Sequence, residues 1–169
     1  VLRGKRPISE RPAYINERLE LGHWEADTVM GKDKHQCFLT LVERKSGFNR
    51  VVKLKNRTAK NVTRALIDII SAEPNLFKTI TFDNGTEFHS YKVIEDMFGV
   101  MCYFANPHAP WERGCNENFN GLLRQYFPKG TSLHYIGNVR TKFVSEQLNN
   151  RPRKRLGFKT PKEVLYGSV

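Results

Sequence analysis

Three carboxylates, Asp27, Asp83 and Glu117, stand in separate segments of the chain, and their side-chain chemistry suits hard divalent cations. Oxygen donors from two aspartates and a glutamate favour Mg²⁺ or Mn²⁺ over softer metals. Two such ions together clamp both the attacking and the leaving oxygen of a phosphate. The chain around them is strongly basic, with 28 Lys and Arg against 17 Asp and Glu and a net charge of +11. A cationic surface attracts a polyanion, so charge and carboxylates together lead to the expectation of an enzyme that cuts or joins nucleic acid.

The elements that must position these residues follow from apolar spacing. TrpGluAlaAspThrVal (24–29), CysPheLeuThrLeuVal (37–42) and PheAsnArgValValLysLeu (48–54) are short β-branched and aromatic runs divided by turn signals, which predicts an antiparallel meander. Thr58 is a helix cap, followed by Val62, Ala65, Leu66, Ile69 and Ile70 at helical spacing over 59–72. A buried strand over 79–82 ends at Asp83, a helix follows over 87–98, and a fifth strand over 100–104. Helices are expected over about 112–127 and 132–150, and a capped one over 160–166 with Thr160 before Pro161. This order predicts an α/β fold with a mixed five-stranded sheet, three antiparallel strands then two more, flanked by helices. It resembles the ribonuclease-H-like fold. Residues 1–21, rich in charge and proline, read as an extended arm, and 22–169 as one catalytic core.

Each carboxylate also has an ordinary reading. Asp27 shares a strand face with Glu25 and Val29, and composition alone favours an edge aspartate facing water. Asp83 precedes AsnGly, which is good turn chemistry, yet it also stands at the C-terminal end of a strand, where open α/β sheets place ligand groups. Glu117 falls on a polar helical stripe with Arg113, Asn120, Gly121 and Arg124, opposite Phe119, Leu122, Leu123 and Tyr126. Helix geometry alone favours a solvated face for that stripe, and Glu87 and Glu112 are rival third ligands.

The three segments resemble the DDE transposase and retroviral-integrase superfamily, and specifically bacterial transposases of the insertion-sequence-thirty family. GlyHisTrpGluAlaAspThrVal (22–29) is similar to the first-aspartate motif, ThrPheAspAsnGlyThrGluPhe (81–88) to the second, and the run 106–130 to the glutamate motif. The 33 residues between Asp83 and Glu117 match that family's spacing, and 149–161 is similar to a C-terminal signature of many integrases. Ala26 stands where the family commonly has glycine, and Cys115 where it usually has threonine. The resemblance implies that Asp27, Asp83 and Glu117 are the catalytic, metal-holding triad, choosing Glu117 over Glu112, and that Arg124 is the family's basic residue two turns beyond the glutamate. It also implies metal-dependent DNA cleavage and strand transfer with Mg²⁺ or Mn²⁺, two ions being expected, on transposon ends and target DNA. A homodimer or larger assembly must bring two DNA ends together. The family's N-terminal helix-turn-helix region is unmatched here, so the chain reads as the catalytic half of something longer.

Crowded carboxylates predict at least one raised pKa in the metal-free site. The expected DNA contacts are Arg113, Asn120, Arg124, Lys129 and the basic run Arg151, Arg153, Lys154 and Arg155, with Pro152 interrupting any smooth helix there. His89 and His108 are not expected to be required bases, and Trp111 reads as a staple onto the core rather than a base-stacking platform. Cys37, Cys102 and Cys115 lack metal-site or disulfide spacing and read as ordinary thiols. No apolar run long enough for a membrane span exists, and a cytosolic protein is expected. Two rivals remain: a ribonuclease-H-like nuclease that only hydrolyses, and a basic DNA-binding module whose carboxylates are structural.

Overall fold

The apolar runs pair into one five-stranded sheet in the order β3-β2-β1-β4-β5. The strands are β1 (His23–Met30), β2 (Cys37–Glu43), β3 (Asn49–Leu54), β4 (Thr79–Phe82) and β5 (Met101–Phe104). The computed structural model describes residues 4–107 and 109–167. The first three strands form the expected antiparallel meander, and β4 and β5 add in parallel beside β1. Parallel strands need crossovers, which helices α1 (Ala59–Ala72) and α2 (Tyr91–Phe98) supply. Thr58 caps α1 by accepting from Asn61 N at 3.2 Å.

The pleat sorts the strands onto two cores. Trp24, Ala26, Leu39, Leu41, Ile80 and Phe82 point to the α1 and α2 side. Val29, Phe38 and Val42 point the other way, against α3 (Gly114–Tyr126) and α4 (Asn138–Asn149) through Phe119, Leu123, Val144 and Leu148. Asp27, between Ala26 and Thr28, belongs to the Val29 face and looks toward α3.

Three boundaries differ from expectation for local reasons. The helix expected over 87–98 opens as a 3₁₀ turn at Thr86–Phe88, and α2 starts only at Tyr91. The glutamate-motif helix is preceded by a 3₁₀ turn at Pro110–Arg113, because Pro110 fixes the turn before the α-helical ladder begins at Gly114. The helix expected from 132 begins at Asn138, since Gly137 is extended (φ −90°, ψ 175°) and ends the turn before it. The final helix, α5 (Pro161–Tyr166), carries the predicted threonine cap as a full capping box with Glu163. Residues 7–17 run past the β5 edge in short 3₁₀ turns, with Pro7 bridging Phe104 and Ile15 buried.

Candidate active site

Register brings the two aspartates together. On β1 and β4, His23 pairs with Thr79, Trp24 with Ile80 and Glu25 with Thr81. The same offset, carried two residues further, sets Asp27 beside Asp83 just where β4 ends, and adjacent strands lie only about 4.8 Å apart. The neighbouring Asp83 charge and burial, burial foremost, raise the Asp27 pKa, while Arg113 opposes them. The expected raised pKa is met at Asp27, with burial as its main cause and the Asp83 charge a smaller one.

Each aspartate is held by short polar contacts. Asp27 Oδ1 accepts from Thr28 N at 2.8 Å, and its Oδ2 accepts from Asn120 Nδ2 at 3.2 Å. Arg113 Nη1 lies 3.1 Å from the same Oδ2, at ion-pair distance but without an aligned hydrogen bond. Asp83 Oδ1 accepts from Gly85 N at 2.8 Å, which leaves its second oxygen without a described partner. Asn84 donates to Ala105 O at 2.6 Å, tying the AspAsnGly turn to the end of β5. A Cβ at Gly85 would overlap the Glu87 carboxylate, so a larger residue there would have to displace that side chain.

Glu117 sits in the first turn of α3, exposed, three residues before Asn120 and hence on the same side of the helix. Among the described residues, no group of three or more His, Cys, Asp or Glu is placed to hold a metal ion together. The structure thus joins Asp27 and Asp83 and leaves Glu117 nearby but outside their cluster. The rival carboxylates are otherwise engaged. Glu112 accepts from both Asn106 N and Asn106 Nδ2 at 2.8 Å, and Glu87 is buried, accepting from Thr28 Oγ1 at 2.9 Å.

The other expected contacts scatter. Arg113 and Asn120 meet Asp27, whereas Arg124 donates to Met30 O at 3.1 Å and Phe127 O at 3.4 Å, clamping the end of α3 to β1. Lys129 is exposed beyond α3. Arg151 donates to Gln125 at 3.2 Å and to the Tyr126 hydroxyl at 3.0 Å, and Arg155 to Lys45 O at 3.2 Å. His89 is exposed, and His108 lies outside the described residues. Trp111 is a correction: at 74% exposure it staples nothing, because the 3₁₀ turn carries it outward.

Sequence reasoning missed Glu25. Wholly buried, it pairs with Arg44 and accepts from Asn116 N at 3.3 Å, anchoring the start of α3 to the sheet two residues from Asp27. Its alternation with Asp27 on one strand face was the available signal.

Residues 17–110, more than half of the chain, match the integrase core domain family. The chain belongs to that family. Over 164 residues this integrase core is 46% identical to the transposase InsI for insertion sequence element IS30A of Escherichia coli (strain K12), covering 96% of the core and 43% of that protein. It is 39% identical over 160 residues to the transposase for insertion sequence element IS4351 of Bacteroides fragilis, covering 95% of the core and 49% of that protein. The resemblance to insertion-sequence transposases read from the motifs is therefore borne out, and the core spans under half the length of these two relatives. In three dimensions it matches a chain in the cryo-EM structure of the simian T-cell lymphotropic virus intasome in complex with PP2A regulatory subunit B56 gamma. The TM-score is 0.72 at 17% identity, over 99% of the core and 58% of that chain, a likeness of fold. The integrase core has the ribonuclease-H-like fold expected from its element order. No described helix is long and apolar enough to cross a membrane.

Proposed function

We propose that this integrase core performs metal-dependent DNA strand cleavage and strand transfer in transposition, with Asp27, Asp83 and Glu117 as its catalytic triad. The observation that carries the reading is the parallel β1–β4 register, which, extended past the end of β4, sets Asp27 beside Asp83. Two like charges this close, one with its pKa raised, fit a divalent cation, and their oxygen donors suit Mg²⁺ or Mn²⁺. Glu117, on the α3 face that carries Asn120, is the third member of the proposed set.

Bound there, a pair of such ions would supply Lewis-acid polarisation of the phosphate and a lowered pKa for the attacking hydroxyl or water. The chain's own residues do the positioning. Asn120 and Thr28 N orient the Asp27 carboxylate, Gly85 N orients that of Asp83, and the Glu25 to Asn116 bond sets the start of the helix that carries Glu117. Arg113, Lys129 and the basic run Arg151, Arg153, Lys154 and Arg155 supply cationic contacts to DNA phosphates. The substrates are transposon ends and target DNA, and a dimer or larger assembly brings two ends together.

The test is Mn²⁺- or Mg²⁺-dependent nicking and strand joining on a branched oligonucleotide presenting a pre-cut end, compared with Glu117→Gln. Joining that the substitution abolishes supports the reading. Cleavage without joining favours a hydrolytic nuclease, and joining that survives Glu117→Gln removes Glu117 from the triad.

A further inference from the structure

The N-terminal residues and the C-terminal basic loop, far apart in sequence, meet over the start of α3. There Arg18, Arg153, Lys154 and Arg155 line a cleft of about 400 Å³ together with Gly114 and Asn118. None of the residues lining it is acidic, and no described carboxylate forms an ion pair with any of these four cations. The loop is held in shape: Arg153 N donates to Lys159 O at 3.0 Å and Phe158 N to Arg153 O at 2.9 Å. Gly47 leaves room for the Arg155 guanidinium, to which a Cβ would come within 3.2 Å. Burial and the like charges of Arg155 and Arg151 hold the Arg153 pKa below the ordinary arginine value, so an anion there relieves repulsion. Asn118, which lines the cleft, follows Glu117 directly in α3.

Arg18 itself is the unexpected member. It occupies the left-handed region, with φ 56° and ψ 37°, where glycine or asparagine is the comfortable residue. An arginine kept in a conformation unfavourable to it points to use of the side chain. A further hollow, lined by Arg11, Arg44, Trp111 and Glu112, shares Arg18 and Gly114 with the cleft, so Arg18 stands where the two hollows meet.

We infer that Arg18, with Arg153 and Lys154 across the cleft, grips backbone phosphates of a DNA strand passing the start of α3 beside Glu117. This rests on the DNA-processing reading above and adds to it a binding residue from a segment outside every catalytic motif. Contacts of this kind hold the strand in register without reading sequence.

The experiment measures binding of a 20-base-pair duplex of arbitrary sequence to this chain across a salt series, alongside thermal melting, for the unsubstituted protein, Arg18→Gly, Arg18→Lys and Lys60→Gln. Lys60 removes the same charge from α1, on the opposite face of the sheet. Arg18→Gly is expected to weaken binding roughly 10-fold and to reduce the salt slope by about 0.9, with the melting temperature held or raised. Arg18→Lys is expected to recover most of the loss, and Lys60→Gln to cost less than about twofold at moderate salt. Equal effects of Arg18→Gly and Lys60→Gln would overturn the inference while leaving the proposed function intact, as would a lowered melting temperature for Arg18→Gly. Absence of salt-dependent DNA binding by the unsubstituted chain would overturn both.

Discussion

Asn120 donates from Nδ2 to Oδ2 of Asp27 across 3.2 Å, joining the middle of α3 to the first strand 93 residues away. Its own Oδ1 is buried without a partner among the described residues, so the amide is oriented by that single bond. The bond holds the carboxylate from the helix that also carries Glu117. Removing an outer hydrogen bond to a metal-holding carboxylate characteristically costs 10–100-fold in metal affinity or activity. Asn120→Ala should lower Mn²⁺-dependent strand joining by roughly that factor, with an unchanged melting curve. A variant that joins at the normal rate would dissociate Asn120 from the chemistry.

Glu25 is the structural counterpart. Its carboxylate is wholly buried against Arg44 and accepts from Asn116 N, so Glu25→Ala leaves a buried guanidinium without its partner. The expected loss of stability is about 3–5 kcal/mol, read by urea unfolding. Activity should fall as well, because the start of α3 loses its tie to the sheet. Stability within about 0.5 kcal/mol of the parent would contradict this account of the pair.

Trp111 should behave in the opposite way. At 74% exposure its removal takes little from the fold, and Trp111→Ala should shift unfolding by less than about 0.5 kcal/mol. An exposed tryptophan lining a hollow with Arg11 and Arg18 offers a face for an unpaired base, so single-stranded oligonucleotide affinity should drop by about 1–3 kcal/mol. Fluorescence quenching of Trp111 on titration with oligonucleotide reads the same contact; Trp24, buried in the core, should stay silent.

The three thiols offer a pH test. Burial, joined at Cys115 by the Glu25 charge, pushes Cys37 and Cys115 up to about 11, and Cys102 higher still. Because the thiolate is the reactive form, the folded protein should resist iodoacetamide at pH 8. Labelling of Cys37 and Cys115 should quicken only as pH climbs toward 11, where their thiolates become populated, while Cys102 should stay unlabelled there. All three should react at once in denaturant, and rapid labelling of the native protein at pH 8 would argue against the burial described.

Much of this was legible in the sequence because it depends on local rules. Period-two alternation assigned Asp27 and Val29 to one face of β1, Thr58 and Thr160 announced helix starts, and the apolar run 79–82 delivered Asp83 to a strand end. The motif spacing then pointed to the integrase core family, which the comparison with relatives bears out. One misplaced helix start arose where an extended glycine, Gly137, broke the expected helical pattern, and the glutamate-motif helix starts late because a 3₁₀ turn over Pro110–Arg113 precedes it.

The sequence by itself determined which elements form and which residue types are available for chemistry, since propensity, periodicity and capping act over a few residues. Only the tertiary structure decided which side chains meet. The parallel register between β1 and β4 put Asp27 beside Asp83, and the packing of α3 assigned Asn120 and Arg113 to Asp27 while giving Arg124 to backbone carbonyls. The same packing closed Arg18 against a loop more than a hundred residues later. Those pairings are set by how whole elements bury their apolar faces, and a long-range contact of that kind leaves no periodic trace in the residues that make it.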